Sequence, residues 1–374
     1  MHAPIPSSIL STVPFPSGAL LVVPFAVTSF VAFLLVATAG LHGRHSFDSS
    51  EGVQKVHVGD TPRIGGLAIL LGLVAALLLV PAGSSRLFLL TLVAAVPAFV
   101  SGFVEDITGR VGVNERLLAS MLSGFFAWLL TGYRLDHVAL PFVDPLLSLP
   151  VISVAFTAFA VGGVANSLNI IDGFNGLAGG SAAIGFGALA FIAAQVGDSE
   201  LAMLALAVLL VLLGFLLLNF PFGLIFMGDG GAYLVGFLLA WVSVMLPARN
   251  PEVSVWAPVL VAAYPVVETL FSMIRRLSRR MSPGEPDRAH LHSLIHLNIV
   301  ERYFSGLDPR LSNGLVSPFC WTFAAAPALA ACLLYGDASL LRLLFIGLFF
   351  FYALLYRFVV TRRVQSPSGA AAGR

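Results

Sequence analysis

An all-α, polytopic membrane protein is predicted by three observations. Of the 374 residues, 58% are hydrophobic and only 10% are charged, against about 25% charged in soluble globular chains. The mean hydropathy is +0.94, and the apolar residues gather into runs of the length, about 17 to 25 residues, that a helix needs to cross the hydrocarbon core. Lys and Arg fall mainly in alternate connections between those runs, as expected when one side faces the cytoplasm. A surface so poor in charge stays in water only where lipid covers much of it, so a soluble protein is excluded. The net charge of +1 gives no sign of a nucleic-acid partner.

Eleven runs are expected to span, forming a single integral membrane domain over 1–374. The first is 18–40. No Lys or Arg precedes it, so the basic n-region of a cleavable signal peptide is missing and the run is expected to be retained. Runs at 65–82, 87–104 and 117–132 follow, the last being the shortest of the three. The stretch from Gly132 to Leu149 is expected to form a small hairpin. Then come 150–168, 177–196, 201–219, 231–248 and 255–274. The segment 275–311 reads as a long cytoplasmic loop, in which Leu291, Leu294, Ile295 and Ile299 mark a helix lying along the membrane surface. Runs at 315–335 and 339–360 complete the set. Cys320 and Cys332 share one run, roughly 18 Å apart along a helix, too far for a disulfide.

An odd number of spans places the termini on opposite sides. With the N-terminus outside, sixteen of the twenty Lys and Arg residues are cytoplasmic and only Arg86, Arg134, Arg249 and Arg342 are not. Six of the eight histidines lie on the same inner side. An active site is therefore expected to face the cytoplasm.

The inner connections carry the chemistry. Glu105 and Asp106 stand together at the end of an apolar run, where they act as a solvated stop or need a cation or base to stabilise them. Asn166, Asn169 and Asp172 recur every three residues and share a helix face if the helix persists, while Gly173 and Gly176 allow a tight turn around Asn175. The plainer account is helix packing by the asparagines and a helix stop at Asp172-Gly173. Phe226-Met-Gly-Asp229-Gly-Gly places one carboxylate among glycines at a helix entrance, suited either to a hard cation holding phosphate oxygens or to a plain N-cap. Lys55, Arg63 and Arg116 supply bases, and so do Arg288, His290 and His292 in the long loop. His292 and His296 are four apart, but zinc is weakly supported without cysteine or an H-E-x-x-H motif. Carboxylates with a divalent cation and flanking bases are the equipment of phosphoryl transfer. A nucleotide-linked donor from the cytosol and a membrane-borne acceptor fit this face.

TPRIGG at 61–66, EDITGRVGVNERL at 105–117, NSLNIIDGFNGLAGG at 166–180, FMGDGG at 226–231 and DRAHLH at 287–292 together resemble the polyprenyl-phosphate N-acetylhexosamine-1-phosphate transferases, glycosyltransferase family 4. The eleven runs fit the branch that initiates O-antigen and teichoic acid synthesis better than the related phospho-MurNAc-pentapeptide translocase. The resemblance implies transfer of a sugar-1-phosphate from a UDP-N-acetylhexosamine to undecaprenyl phosphate, with release of UMP, in a bacterial inner membrane. It implies Mg²⁺, with Mn²⁺ as a substitute, and a homodimer.

By position, the resemblance assigns the metal to Asp229 and Asn169, uracil stacking to Phe226 and its edge to Asn175. Asp106 becomes a base or polarising group beside the acceptor phosphate, grouped with Glu105 and Asp172 as the catalytic carboxylates. Arg288, His290 and His292 then bind donor phosphates or sugar, and Lys55, Arg63 and Arg116 the lipid phosphate. The chain departs from the family pattern at Glu105, where Asp is usual, at Asn175, where many bacterial members have a second Asp, and at Ser293, where a further His is common. Two other readings stay open: a secondary transporter or flippase, and an inactive relative.

Overall fold

The computed structural model describes residues 18–48, 61–279, 289–304 and 306–364. In order, the elements are α1 (Gly18–Ala37), α2 (Ala39–Ser46), β1 (Phe47–Asp48), β2 (Thr61–Pro62), α3 (Gly65–Leu77), α4 (Ala82–Ala94), α5 (Val96–Thr108) and α6 (Val113–Thr131). They continue with α7 (Asp144–Leu147), α8 (Pro150–Ile170), α9 (Leu177–Gln195), α10 (Ser199–Asn219), α11 (Gly228–Arg249), α12 (Trp256–Val261) and α13 (Ala263–Ser278). The last are α14 (Leu291–Ile295), a π-helical turn (His296–Val300), α15 (Glu301–Tyr303), α16 (Pro309–Gly314), α17 (Val316–Leu334) and α18 (Ala338–Val364). The protein is an all-α polytopic membrane protein, with β1 and β2 pairing antiparallel as its only described sheet.

Each of the eleven apolar runs contains helix, but eleven crossings are not reproduced. Among the described residues seven helices are long and apolar enough to cross, or eight if α4 and α5, bent by 45°, count as one span. The shortfall has physical causes. α3 has 13 residues, about 20 Å of helix against a hydrocarbon core of about 30 Å. α6 opens with Glu115 and Arg116 in its first turns. The run at 255–274 breaks between α12 and α13, four residues ahead of Pro265; α4 likewise ends just past Val93, four ahead of Pro97. A proline ring clashes with the carbonyl four residues earlier and offers no N–H, so a break there is expected.

α11 is the axis of the bundle, buried almost throughout and packed against α8, α5, α3 and α9. Phe30 on α1 and Leu354 on α18 are among the large apolar side chains left exposed at the periphery, as suits contact with lipid. The far end of α11 is held by Arg249. Its Nε and Nη2 donate to the Asp198 carboxylate at 2.6 and 2.9 Å, Nη2 to Glu200 at 2.8 Å and Nη1 to the Tyr133 hydroxyl at 3.0 Å. Burial raises the Asp198 pKa, but the Arg249 bonds outweigh it and hold the carboxyl below its ordinary value.

One expectation is corrected. The stretch from Gly132 to Leu149 is not a hairpin: it contains no strand, only the short α7, and Trp256 and Arg342 donate to the Val138 and Ala139 carbonyls at 3.0 and 2.9 Å. The stripe begun by Leu291, Leu294 and Ile295 faces other helices of the protein. These residues are buried, and α14 packs against α17 and α18. Cys320 and Cys332 are unbridged.

Candidate functional site

The segment just before α3 reaches the centre of the bundle by backbone pairing. The Phe226 N–H donates to the Pro62 carbonyl at 2.8 Å, and Gly65 and Gly66 donate to the carbonyls of Phe226 and Met227 at 3.0 and 2.8 Å. This pairing lays Arg63 across the entrance to α11. Gly228 makes the approach feasible: at φ +71° it takes a left-handed conformation, and a Cβ there would collide with the Arg63 carbonyl and the Asp106 carboxylate.

Asp106, 5% exposed near the C-terminal end of α5, caps α11 from a neighbouring helix. Its Oδ1 accepts from the Asp229 N–H and its Oδ2 from the Gly230 N–H, both at 2.8 Å. The Arg63 Nε donates to the same carboxylate at 3.2 Å. A carboxylate at a helix N-terminus satisfies orphan N–H groups and is favoured by the helix dipole. Asp229 is therefore not the cap of its own helix; the N-cap position is Met227, without a side-chain bond.

Asp229 instead faces outward into a charged cluster. Its Oδ1 accepts from the Asn169 Nδ2 at 2.9 Å, its Oδ2 is paired with Arg116, and the Arg63 Nη2 lies 4.0 Å away. The Arg116 guanidinium also sits 5.8 Å from the centre of the Tyr233 ring, whose hydroxyl donates to the Asn166 Oδ1 at 3.0 Å. Tyr233 was not evident from any motif, although it follows Asp229 by four residues and so shares its helix face.

α8 ends at Ile170, so Asp172 lies in the following turn and not on the asparagine face. Desolvation by burial raises the Asp172 carboxyl to about 7, partly countered by the Arg63 charge. Asp106, Asp172 and Asp229 thus face Arg63 and Arg116. If all are ionised, one negative charge is in excess.

Glu105 and Asn175 sit differently. The Glu105 Oε2 accepts from the Val111 N–H at 2.7 Å, which turns it back onto its own loop. The Asn175 Nδ2 donates to the carbonyls of Pro221 and Arg310 at 3.0 and 3.3 Å. Its N–H donates to the Asn313 Oδ1 at 2.8 Å, and its carbonyl accepts from Ser317 at 2.6 Å. Asn175 therefore ties the glycine turn to α16 and α17; no sequence signal marked Asn313 or Ser317. Phe226 borders the same narrow cleft as Asn175, with Phe222 and Arg310.

His290 and His292 stack with ring centres 5.1 Å apart, and the buried Glu268 on α13 lies beneath both. Phe174 of the glycine turn sits between His292 and His296, at 5.5 and 5.4 Å, and links the two regions. Lys55 and Arg288 lie outside the described residues, as does part of the long loop that holds Arg288. A polar cavity of about 540 Å³ lies at the far end of α11, around the Arg249 network, away from all of these groups.

Among the described residues no three His, Cys, Asp or Glu side chains form a metal cluster. Mg²⁺ makes a smaller demand, one or two carboxylates with substrate phosphates and water completing its shell. Asp229 and the Asn169 amide, hydrogen-bonded to each other and with Asp172 three residues beyond Asn169, fit that donor set.

The fold and these groups define a polytopic membrane protein with a carboxylate and guanidinium cluster at one end of its central helix. Residues 88–247 match the family model described as Glycosyl transferase family 4. The chain is 30% identical over 253 residues, 65% of its own length and 67% of the relative's, to an undecaprenyl-phosphate alpha-N-acetylglucosaminyl 1-phosphate transferase of Yersinia pestis. It is also 30% identical over 245 residues, 64% of its length and 66% of the relative's, to a probable undecaprenyl-phosphate N-acetylglucosaminyl 1-phosphate transferase of Bacillus subtilis (strain 168). With an Escherichia coli (strain K12) protein of the same description as the Yersinia one it shares 27% over 249 residues, 65% of its length and 67% of the relative's. The chain belongs to glycosyl transferase family 4. This membership disfavours the transporter reading.

Proposed function

We propose that this protein transfers an N-acetylhexosamine-1-phosphate from a UDP-sugar to undecaprenyl phosphate, releasing UMP, at the cytoplasmic face of a bacterial inner membrane. The product would start a cell-surface polysaccharide such as O-antigen, capsule or exopolysaccharide. The observation that carries the reading is the cluster of Asp106, Asp172 and Asp229 against Arg63 and Arg116. The named activity of the relatives supports the acceptor, and the Lys and Arg distribution supports the sidedness.

An oxygen of the lipid phosphate attacks the β-phosphorus of the donor in line. The bond from that phosphorus to the bridging oxygen breaks, and the electron pair leaves with UMP. The second pKa of a phosphate monoester is about 6, so the acceptor is already largely ionised at neutral pH and needs no strong base. This favours a single displacement over a covalent aspartyl phosphate. Asp106 acts by fixing Arg63 and the start of α11. Arg63 and Arg116 exchange carboxylate partners for phosphate oxygens, which they bind in a planar fork. His290 and His292 meet the donor from the long loop, and Phe226 offers a ring to the base. Mg²⁺, held by Asp229 and Asn169 with Asp172 close by, would neutralise charge on the pyrophosphate.

The test is to incubate purified protein with undecaprenyl phosphate, Mg²⁺ and labelled UDP-sugars, N-acetylglucosamine first. A labelled pyrophosphoryl lipid and equimolar UMP are expected. Absence of lipid product with every UDP-N-acetylhexosamine would favour the inactive relative.

A further inference from the structure

α13 presents two charged side chains one above the other toward the histidine loop, and α18 covers each with a tyrosine. Glu268, 1% exposed, accepts through Oε1 from the His290 Nδ1 at 3.0 Å and from the Leu291 N–H at 3.2 Å. Its Oε2 accepts from the Tyr352 hydroxyl at 2.6 Å and lies 3.8 Å from the His292 Nδ1. Two turns further along, Arg275 donates to the Ala289 carbonyl, to the Tyr356 hydroxyl at 2.5 Å and to Ser272 at 3.0 Å. Glu268 and Arg275 are seven residues apart and Tyr352 and Tyr356 four, so each pair shares one helix face. Three consecutive loop residues, 289 to 291, are therefore gripped by two buried charges. A buried carboxylate is costly unless fully bonded; here the bonds that satisfy it are the ones that seat the loop.

We infer that Glu268, seated by Tyr352, is a positioning residue: it holds the proton of His290 on Nδ1 and fixes the ring plane, so that the chemistry of His290 passes through Nε2. The inference rests on the reading of His290 as a donor-binding group. Its geometric basis is separate from that reading. Hydrogen bonding of one ring nitrogen to a carboxylate selects the tautomer and orients the imidazole. His292, stacked on His290 with planes 5° apart, follows the same orientation.

The test uses full-length protein in detergent with ¹⁵N-labelled histidine, comparing wild type with Glu268→Gln and Tyr352→Phe, and with His290→Ala to assign the resonances. In wild type the His290 Nδ1 carries the proton. In Glu268→Gln the signals move toward mixed tautomers, and Tyr352→Phe moves them less in the same direction. In the transfer assay Glu268→Gln lowers turnover at least tenfold. Added to His290→Ala it lowers turnover no further, because both changes remove one interaction. Unchanged histidine signals in Glu268→Gln, or losses that multiply in the double variant, would overturn the inference. If Glu268→Gln does not fold, Tyr352→Phe decides alone, since it removes a single hydroxyl. Wild-type protein that makes no lipid product would sink the proposed activity and leave the spectroscopic result standing.

Discussion

Asp106→Asn separates the cap from the charge at almost constant volume. The carboxylate takes three charge-assisted bonds, from Arg63 and from the N–H groups of Asp229 and Gly230. Such bonds contribute about 1.5–3 kcal/mol each, and breaking a buried ion pair costs about 3–5 kcal/mol when one partner is left alone. Arg63 is not left alone, because Asp229 lies 4.0 Å from its Nη2 and can take it. The amide still accepts one bond but turns an NH₂ toward one of the two helix N–H groups. A net loss of about 3 kcal/mol follows. At about 1.4 kcal/mol per decade this is roughly a hundredfold in turnover if it falls on the geometry of the transition state. Lipid-product formation and tryptophan-monitored melting in the same detergent should both fall. Asp106→Asn with wild-type turnover and melting would refute the cap and the role given to Arg63 together.

Other consequences can be measured alongside. Asp229→Asn should abolish Mg²⁺-dependent UMP release, and full activity across a metal titration would remove Asp229 from the metal site. Asp172, raised to about 7 from an ordinary 3.8, binds its proton more tightly folded than unfolded. Its contribution to stability is therefore complete below pH 3.8 and lost as pH rises through about 7. Without divalent cations, melting should fall between about pH 4 and pH 7, and Asp172→Asn should flatten that fall. Asn175→Asp, which restores the commoner family residue, should lower melting and give no gain in turnover. A carboxylate cannot donate to the Pro221 and Arg310 carbonyls that the amide now bonds; higher turnover in this variant would show the tie to be dispensable.

Much of the site was legible because charge is scarce in this chain. A carboxylate beside an apolar run has few uses, so Asp106, Asp172 and Asp229 stood out, and glycine patterning marked the turns that bring them close. The partners were less legible. That Asp106 caps α11 depends on a contact between residues 123 apart, which no local pattern encodes. Asn313 and Ser317 hold Asn175 over similar separations. Glu268 stands alone as an acid in an apolar run, and its partner His290 comes from a segment 22 residues away. Seven or eight of the eleven apolar runs form helices long enough to cross among the described residues, because hydropathy registers an apolar run whether or not its helix is broken, as it is ahead of Pro97 and Pro265.

The pinning of α11 at both ends has a mechanical side. The helix has 22 residues, about 33 Å of rise, close to the thickness of the hydrocarbon core. One end is fixed by Asp106 and the other by the Arg249 network, through partners on different neighbours. Sliding α11 by one turn, about 5.4 Å, would break both sets of bonds at once. The central helix therefore behaves as a rigid strut in fixed register, and any opening that admits a long lipid chain falls to the peripheral helices and the histidine loop, leaving the charged cluster unmoved.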